Sequence, residues 1–387
     1  MPKSRFGLPR LAPVISVAAA FLVVACRPGE VEWPAATEED LADAVYVARA
    51  AGTGAEIVAA SASGGVEELG LACDPQSEVA LSPDGRLLYY GRNDALYEYE
   101  LATGDGRVVA AFAGGVACET GPDKTGRVKT SAWRCGARFR DLAFGPDGRL
   151  AFLVEPTETA LAAAAAASAE AAAQPRPRAD FRMDAGVYLL DAGSDVPRYL
   201  EPTRAVYGFL GREALILESR LTVARYEFRS RTATPLLGPE AHELGWLPPA
   251  AVSGDKVVVV APKADEKSHE YVLNEVYVIE GGRGGSRPSL SIRAKEPATR
   301  VALSPDGGYV AVECTSRVLG EAVIYVVDLE RKRYKVLLRG GRLLRFARGS
   351  RAVFYLVGPG RTGDLFLSGL DGAARRLTSG EKVLPKP

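Results

Sequence analysis

The 387-residue sequence predicts an all-β fold, a β-propeller of four-stranded antiparallel blades, with seven blades favoured over six. Three observations carry this. A strand–turn–strand unit recurs along the chain. Its shorter spacings match the ~40–50 residues of one propeller blade. Gly and Pro, at 41 and 25 residues, supply the many tight turns that such a ring needs.

The unit is clearest in three places. VALSPDG (79–85) leads into RLLYYG, LAFGPDG (142–148) into RLAFLV, and VALSPDG (301–307) into GYVAVE. The turn chemistry is explicit in Ser82, Pro83, Asp84 and Gly85, in Gly145, Pro146, Asp147 and Gly148, and in Ser304, Pro305, Asp306 and Gly307. Proline fixes φ near −65°, aspartate hydrogen-bonds neighbouring amides, and glycine accepts positive φ, so each segment predicts a tight hairpin between two buried strands. Weaker copies without the proline lie at 207–219, 250–262 and 344–357. The turns begin near 82, 145, 211, 253, 304 and 348, and the two long gaps hold insertions.

Two further strands follow each turn, joined by hairpins such as ATGDG (102–106), AGSD (192–195) and LERK (329–332). That makes six blades. Residues 45–70 add a seventh strand set, and Glu381–Pro385 are placed to supply its missing strand. Closure by strands from both ends of the repeat region would remove the exposed edges of an open sheet. A helix from Thr37 to about Ala51, ended by Gly52, competes for the same residues and would leave six blades.

With SPDG between its first strands and Asp371, Gly372, Arg376, Leu377 and Thr378 in a D-G-x-x-x-R-L-T pattern, the repeat resembles the TolB-type, WD-like propeller unit. The resemblance covers roughly residues 43–387 in form, and three units carry the full turn motif. TolB proteins carry an α/β domain ahead of the ring, where this chain has about 16 linker residues. The resemblance therefore implies the ring and not the role of TolB in its trans-envelope complex.

Ahead of the ring, Lys3, Arg5 and Arg10 precede an apolar run, Leu11–Ala25, too short to span a bilayer. It ends in Val23, Val24, Ala25 and Cys26, and here the chain resembles a bacterial lipoprotein signal with its lipobox. That resemblance implies a diacylglycerol on the Cys26 thiol, cleavage before it and acylation of the new amino terminus. Several acyl chains hold a soluble body on a membrane durably. The expected organisation is a signal peptide at 1–25, a lipidated cysteine and tether at 26–42, and a propeller at 43–387 with an Ala-rich insertion at 157–178. Arg27, in place of an aspartate after the cysteine, points by the same resemblance to the periplasmic face of the outer membrane.

Lys plus Arg and Asp plus Glu balance at 48 each, so no whole-molecule field favours nucleic acid. Two His and five Cys thin the supply of metal ligands and acid–base groups, and no Cys-x-x-Cys spacing suggests zinc. Cys118 and Cys135 flank a polar insertion and form a candidate disulfide, while Cys314 in an apolar strand reads as a buried free thiol. Arg331, Lys332, Arg333, Arg342 and Arg345 belong to an acid-free basic stretch, a candidate patch for an anionic envelope partner. Nucleophile elbows, phosphate loops, zinc-protease helices and calcium loops do not occur in the sequence, and His242 and His269 lack a nearby catalytic constellation. The reading is a monomeric, non-catalytic, lipid-anchored propeller without cofactor that binds a partner protein or peptide at one mouth of the ring. The alternative is a propeller hydrolase or lyase acting on an envelope or extracellular polymer.

Overall fold

The computed structural model describes residues 32–51, 54–63, 65–75, 77–93, 95–111, 118–120, 129–131, 137–156, 186–194, 197–220, 222–238, 247–264, 272–281, 287–316, 321–358, 362–379 and 383–384. The signal peptide, Cys26, Cys135, His242, His269 and the Ala-rich insertion lie outside them. The chain divides into Met1–Trp33 and a compact unit, Pro34–Pro387.

That unit is a seven-bladed β-propeller. Six four-stranded antiparallel sheets span 79–111, 137–201, 206–235, 250–294, 298–339 and 341–376, as blades 2 to 7, each with its strands in chain order. Blade 1 spans 44–73 and has three strands. A short extra hairpin, Cys118–Thr120 with Lys129–Ser131, stands between blades 2 and 3. From blade 3 to blade 7 each first strand touches the first strand of the next blade, so the first strands are innermost and ring the axis.

Burial on both faces explains the unbroken apolar runs. In Lys256–Ala264 of blade 5, Val257, Val259 and Ala261 pack toward blade 4, while Val258 and Val260 pack toward blade 6. A strand with period-two side chains between two sheets has no solvent face, and each neighbour hides what the other leaves open. Single blades would expose these residues, and the stack therefore stabilises itself only as a ring.

The turns form as their chemistry requires. Gly85, Gly148 and Gly307 sit at φ 74°, 79° and 67°. Their amides donate to Ser82 O, Gly145 O and Ser304 O at 2.9, 3.1 and 2.8 Å. In blade 6 the Ser304 hydroxyl donates to Asp306 Oδ1 (2.6 Å) and accepts from Tyr309 N (2.9 Å), and the blade 2 turn repeats both bonds.

Helix and strand divide the segment for which they compete. A five-residue helix, Glu38–Ala42, is capped by Thr37, whose hydroxyl accepts from Asp40 N while Asp40 returns a bond to Thr37 N. Asp43 ends it in extended backbone, and the β-branched alternation of AVYVARAA takes over as strand Ala44–Ala51. Residues 34–42, which the sequence places in the tether, strap across blade 7. Asp371 N donates to Pro34 O (3.0 Å), and Arg351 N to Asp40 Oδ1 (3.3 Å).

Blade 1 departs from the others. Strand Ala44–Ala51 begins beside the first turn of blade 7, where Arg345 Nη2 donates to Ala44 O (2.9 Å). Second strands begin at that face, so blade 1 is built from the equivalents of second, third and fourth strands. At the inner edge of Ala44–Ala51, Val383 bridges Arg49 and Leu384 N donates to Ala48 O (2.8 Å). Among the described residues these two are all that stands where a first strand belongs. Glu381, Lys382 and Pro385, the rest of the expected closing strand, lie outside them.

Candidate functional site: the turn-face mouth of the ring

The axis opens, on the face that carries the Pro-Asp-Gly turns, into a cavity of about 510 Å³. Pro83 and Pro305 line its rim, and Val45, Val79, Leu81, Leu142, Phe144 and Leu344 give it largely apolar walls. These walls come from the inner strands of blades 2, 3 and 7 and from the second-strand equivalent of blade 1. An apolar cavity with few polar groups suits an apolar or amphipathic ligand.

The polar side chains are those of Tyr46, Ser77, Glu78, Ser82, Arg345 and Arg348. Arg345 is committed: Nη1 donates to Asp43 Oδ2 and to Phe346 O, both at 2.7 Å, and the guanidinium stacks 4.8 Å over Phe354. Arg348 is freer. Its amide donates to Asp43 Oδ2 (3.1 Å), but its guanidinium reaches Asp43 only through Nε at 3.5 Å and is about half exposed. Burial and then the charge of Glu67 push the Tyr46 hydroxyl above its ordinary value, with Arg348 opposing.

Carboxylates do reach the inner part of the ring, but as inter-blade fasteners. Glu78 Oε2 accepts from Leu142 N (3.2 Å) between blades 2 and 3. Asp141 Oδ2 accepts from Val206 N (3.0 Å) between blades 3 and 4. Glu313 Oε2 accepts from Leu343 N (2.6 Å) between blades 6 and 7, and Asn274 Oδ1 from Ala298 N (2.7 Å) between blades 5 and 6. Asp141 reaches its amide through a left-handed residue, φ 50°, at a bulge in its strand. Each satisfies an amide left open where one blade's inner strand starts or bulges, and an acid held this way is positioned for packing rather than for proton transfer. Among the described residues no three His, Cys, Asp or Glu side chains gather as a metal site would need.

The sequence passes over these fasteners, although a signal is present. Asn274 in VLNEVYV and Glu313 in VAVECT are buried polar residues that interrupt largely apolar strands. Such an interruption requires a buried partner.

The basic candidates are spread out. Arg331 and Arg333 pair with Asp328 at 3.5 and 3.3 Å in the outer hairpin of blade 6, with exposed Lys332 at the turn between them. Arg342 is half-buried near the start of the inner strand of blade 7, and Arg345 near its end faces Asp43. Of the turn residues, Ser82, Pro83 and Pro305 reach the mouth. The Asp84 carboxyl is held below its usual range by the Ser82 hydroxyl and the Arg86 amide. Cys118 opens the extra hairpin, while its proposed partner Cys135 is outside the described residues. Cys73 and Cys314 are free and buried, and burial pushes both thiols up to about 12.

No family model and no curated protein sequence matches the chain. Solved structures do. An oligogalacturonate lyase from Vibrio parahaemolyticus overlays with a TM-score of 0.53 at 10% identity, covering 84% of this chain and 86% of that one. An oligogalacturonate lyase in complex with manganese gives 0.52 at 10% identity, with 81% and 82% covered. TolB from Acinetobacter baumannii gives 0.46 at 13% identity, and 89% of this chain spans 65% of that protein. The two overlays above 0.5 support the propeller fold.

Proposed function

We propose that this chain is a non-catalytic propeller of the cell envelope, lipid-anchored through Cys26 at the periplasmic face of the outer membrane. In this reading a partner protein or peptide binds at the turn-face mouth. One observation carries it: the mouth leads into an apolar cavity of about 510 Å³ rimmed by a half-free arginine, while the carboxylates nearest the axis are bound to amides of neighbouring blades. Rigid blades present this surface without the cost of ordering it on binding.

The test places a photo-crosslinking residue at position 83, on the mouth, and another at position 357, an exposed position in blade 7 on the opposite side of its strand Ala352–Val357. Illumination of intact cells is expected to trap a discrete protein adduct from position 83 and not from 357. Absence of any adduct from 83, or cleavage of an envelope polysaccharide by the purified chain, overturns the reading. The anchor is tested separately: Cys26→Ser is expected to release the chain from the membrane fraction, and unchanged fractionation refutes lipidation.

A further inference from the structure

The segment that precedes blade 1 is seated across blade 7, and the seat lies on the turn face. In blade 7 the inner strand Gly341–Phe346 runs to that face, Ala352–Val357 runs away from it and Asp364–Gly369 returns. The turns at 347–351 and 370–373 therefore lie together there. The strap meets both. Asp371 N donates to Pro34 O (3.0 Å) at the outer turn, and Arg351 N to Asp40 Oδ1 (3.3 Å) at the inner one.

The seat is shaped for its occupant. A Cβ on Gly349 would stand 2.4 Å from Thr37 Oγ1, and one on Gly369 2.9 Å from Ala36 N. Neither glycine has positive φ, so close approach of the strap is what they allow. Asp40 is fully buried, and Ala36 and Leu41 pack against Ala347 and Ala352 in the core between blades 7 and 1. The strap is thus part of the ring, and the chain joins the ring at Pro34, on the outer rim of the turn face.

That point of entry limits where an anchor can hold the ring. Cys26 precedes Pro34 by eight residues, which reach at most ~28 Å when fully extended. Above the turn face all of that reach is available. To lay the opposite face on a bilayer, the same residues would first pass down the rim of blade 7, whose strand Ala352–Val357 alone is roughly 17 Å long. Charge gives no comparable preference, since exposed Glu38 and Glu39 of the strap offset exposed Arg331 and Lys332 of the blade 6 hairpin on the same face.

We propose that the ring rides with its turn face toward a lipid bilayer, held so by the seated strap and the short tether. This rests on the anchor proposed at Cys26 and adds the orientation that the anchor imposes. A lipid surface then lies opposite the mouth, and the partner is met on the membrane side of the ring.

The test uses the lipidated full chain in phosphatidylcholine vesicles that carry a rhodamine-labelled lipid as energy-transfer acceptor. A donor dye is placed through a bio-orthogonal residue at position 332 or at position 339. These exposed positions flank the two ends of the outer strand of blade 6, roughly 23 Å apart, with 332 on the turn face. Transfer from 332 is expected to be at least twofold greater than from 339, and to stay so in about 0.5 M KCl, where surface charge is screened. Equal transfer, or more from 339, overturns the orientation, and loss of the difference in KCl overturns the tether as its cause. Insertion of about 30 Gly and Ser residues after Glu32 leaves the contacts of residues 34–42 in place and lifts the ~28 Å limit, so the two transfers should converge. A difference that survives the insertion refutes the proposal. Gly349→Leu, which displaces the strap, should also narrow the difference, and a native-sized difference removes the strap from the proposal. A chain that does not float with the vesicles refutes the anchor itself, a failure distinct from equal transfer by a chain that does.

Discussion

Removing the Asp43 carboxylate should weaken ring closure more than any exposed ion pair does. Its side chain is 2% exposed, accepting from Arg345 Nη1 at 2.7 Å and from Arg348 N at 3.1 Å, and so ties the strap and blade 1 to blade 7. A charge-assisted bond contributes about 1.5–3 kcal/mol and an amide bond about 1 kcal/mol. Arg345 keeps Phe346 O and Ala44 O as acceptors, and both arginines are a third to a half exposed, so water recovers part of the loss. Asp43→Ala is therefore expected to cost about 2–3 kcal/mol. Asp43→Asn, which keeps an acceptor for Arg348 N and loses the charge, should cost about half as much. The assay is urea unfolding followed by far-UV circular dichroism, with Glu100→Ala as the control. Glu100 pairs at 3.1 Å with an Arg86 side chain that is 69% exposed, and its loss should cost no more than ~0.5 kcal/mol. If Asp43→Ala and Glu100→Ala shift the midpoint equally, Asp43 does not fasten the closure.

Four further outcomes are expected. Ser304→Ala leaves Tyr309 N without its 2.9 Å acceptor in a fully buried setting and should cost about 1–3 kcal/mol in the same assay. Gly307→Ala places a β-carbon at φ 67° and should cost about 1–2 kcal/mol, whereas alanine at Gly308, which has ordinary backbone, should cost less. The Asp84 carboxyl is lowered by Ser82 and the Arg86 amide; burial opposes ionisation of Asp147, but its bonds to Arg149 outweigh it and lower that carboxyl too. Both groups titrate in the folded state below the unfolded value of about 3.9, so their contribution is complete above that pH and is lost as pH falls through the folded values. Urea midpoints measured from pH 6 to pH 2.5 should decline mainly below about pH 4, with a smaller decline in Ser82→Ala. Cys73 and Cys314 should resist iodoacetamide at pH 8 in the folded chain and react in urea, as mass spectrometry would show.

The ring was legible because its signals are local. Proline, aspartate and glycine at fixed offsets specify a hairpin without reference to distant residues, and all three full motifs form that hairpin in blades 2, 3 and 6. The seventh blade was legible in AVYVARAA, whose alternation prevails once Thr37 and Asp40 have capped a single helical turn. The site was not legible in the same way, since the cavity is a property of the whole circle. Val45, Leu81, Phe144 and Leu344 are up to 299 positions apart in sequence and meet only because the ring returns to its start. The basic stretch illustrates the converse. Arg333 and Arg342 are close in sequence, yet one lies on the outer strand of blade 6 and the other on the inner strand of blade 7.

Closure also accounts for where the mouth is chemically distinctive. At every seam from blade 3 to blade 7 the inner strands touch one another, and fasteners such as Glu313 satisfy the amides at their irregular points. At the seam between blades 7 and 1 the strap arrives from blade 7, blade 1 starts at its second-strand equivalent, and Asp43 must organise two arginines to join them. Among the described residues, side-chain contacts at Ala44 and a two-residue bridge at Ala48 and Arg49 are what meet the inner edge of blade 1. The same contacts that join the ends of the ring thus hold Arg345 and Arg348 at its mouth, and substitutions at Asp43 should disturb both stability and the adduct trapped from position 83, while those at Glu313 should disturb stability alone.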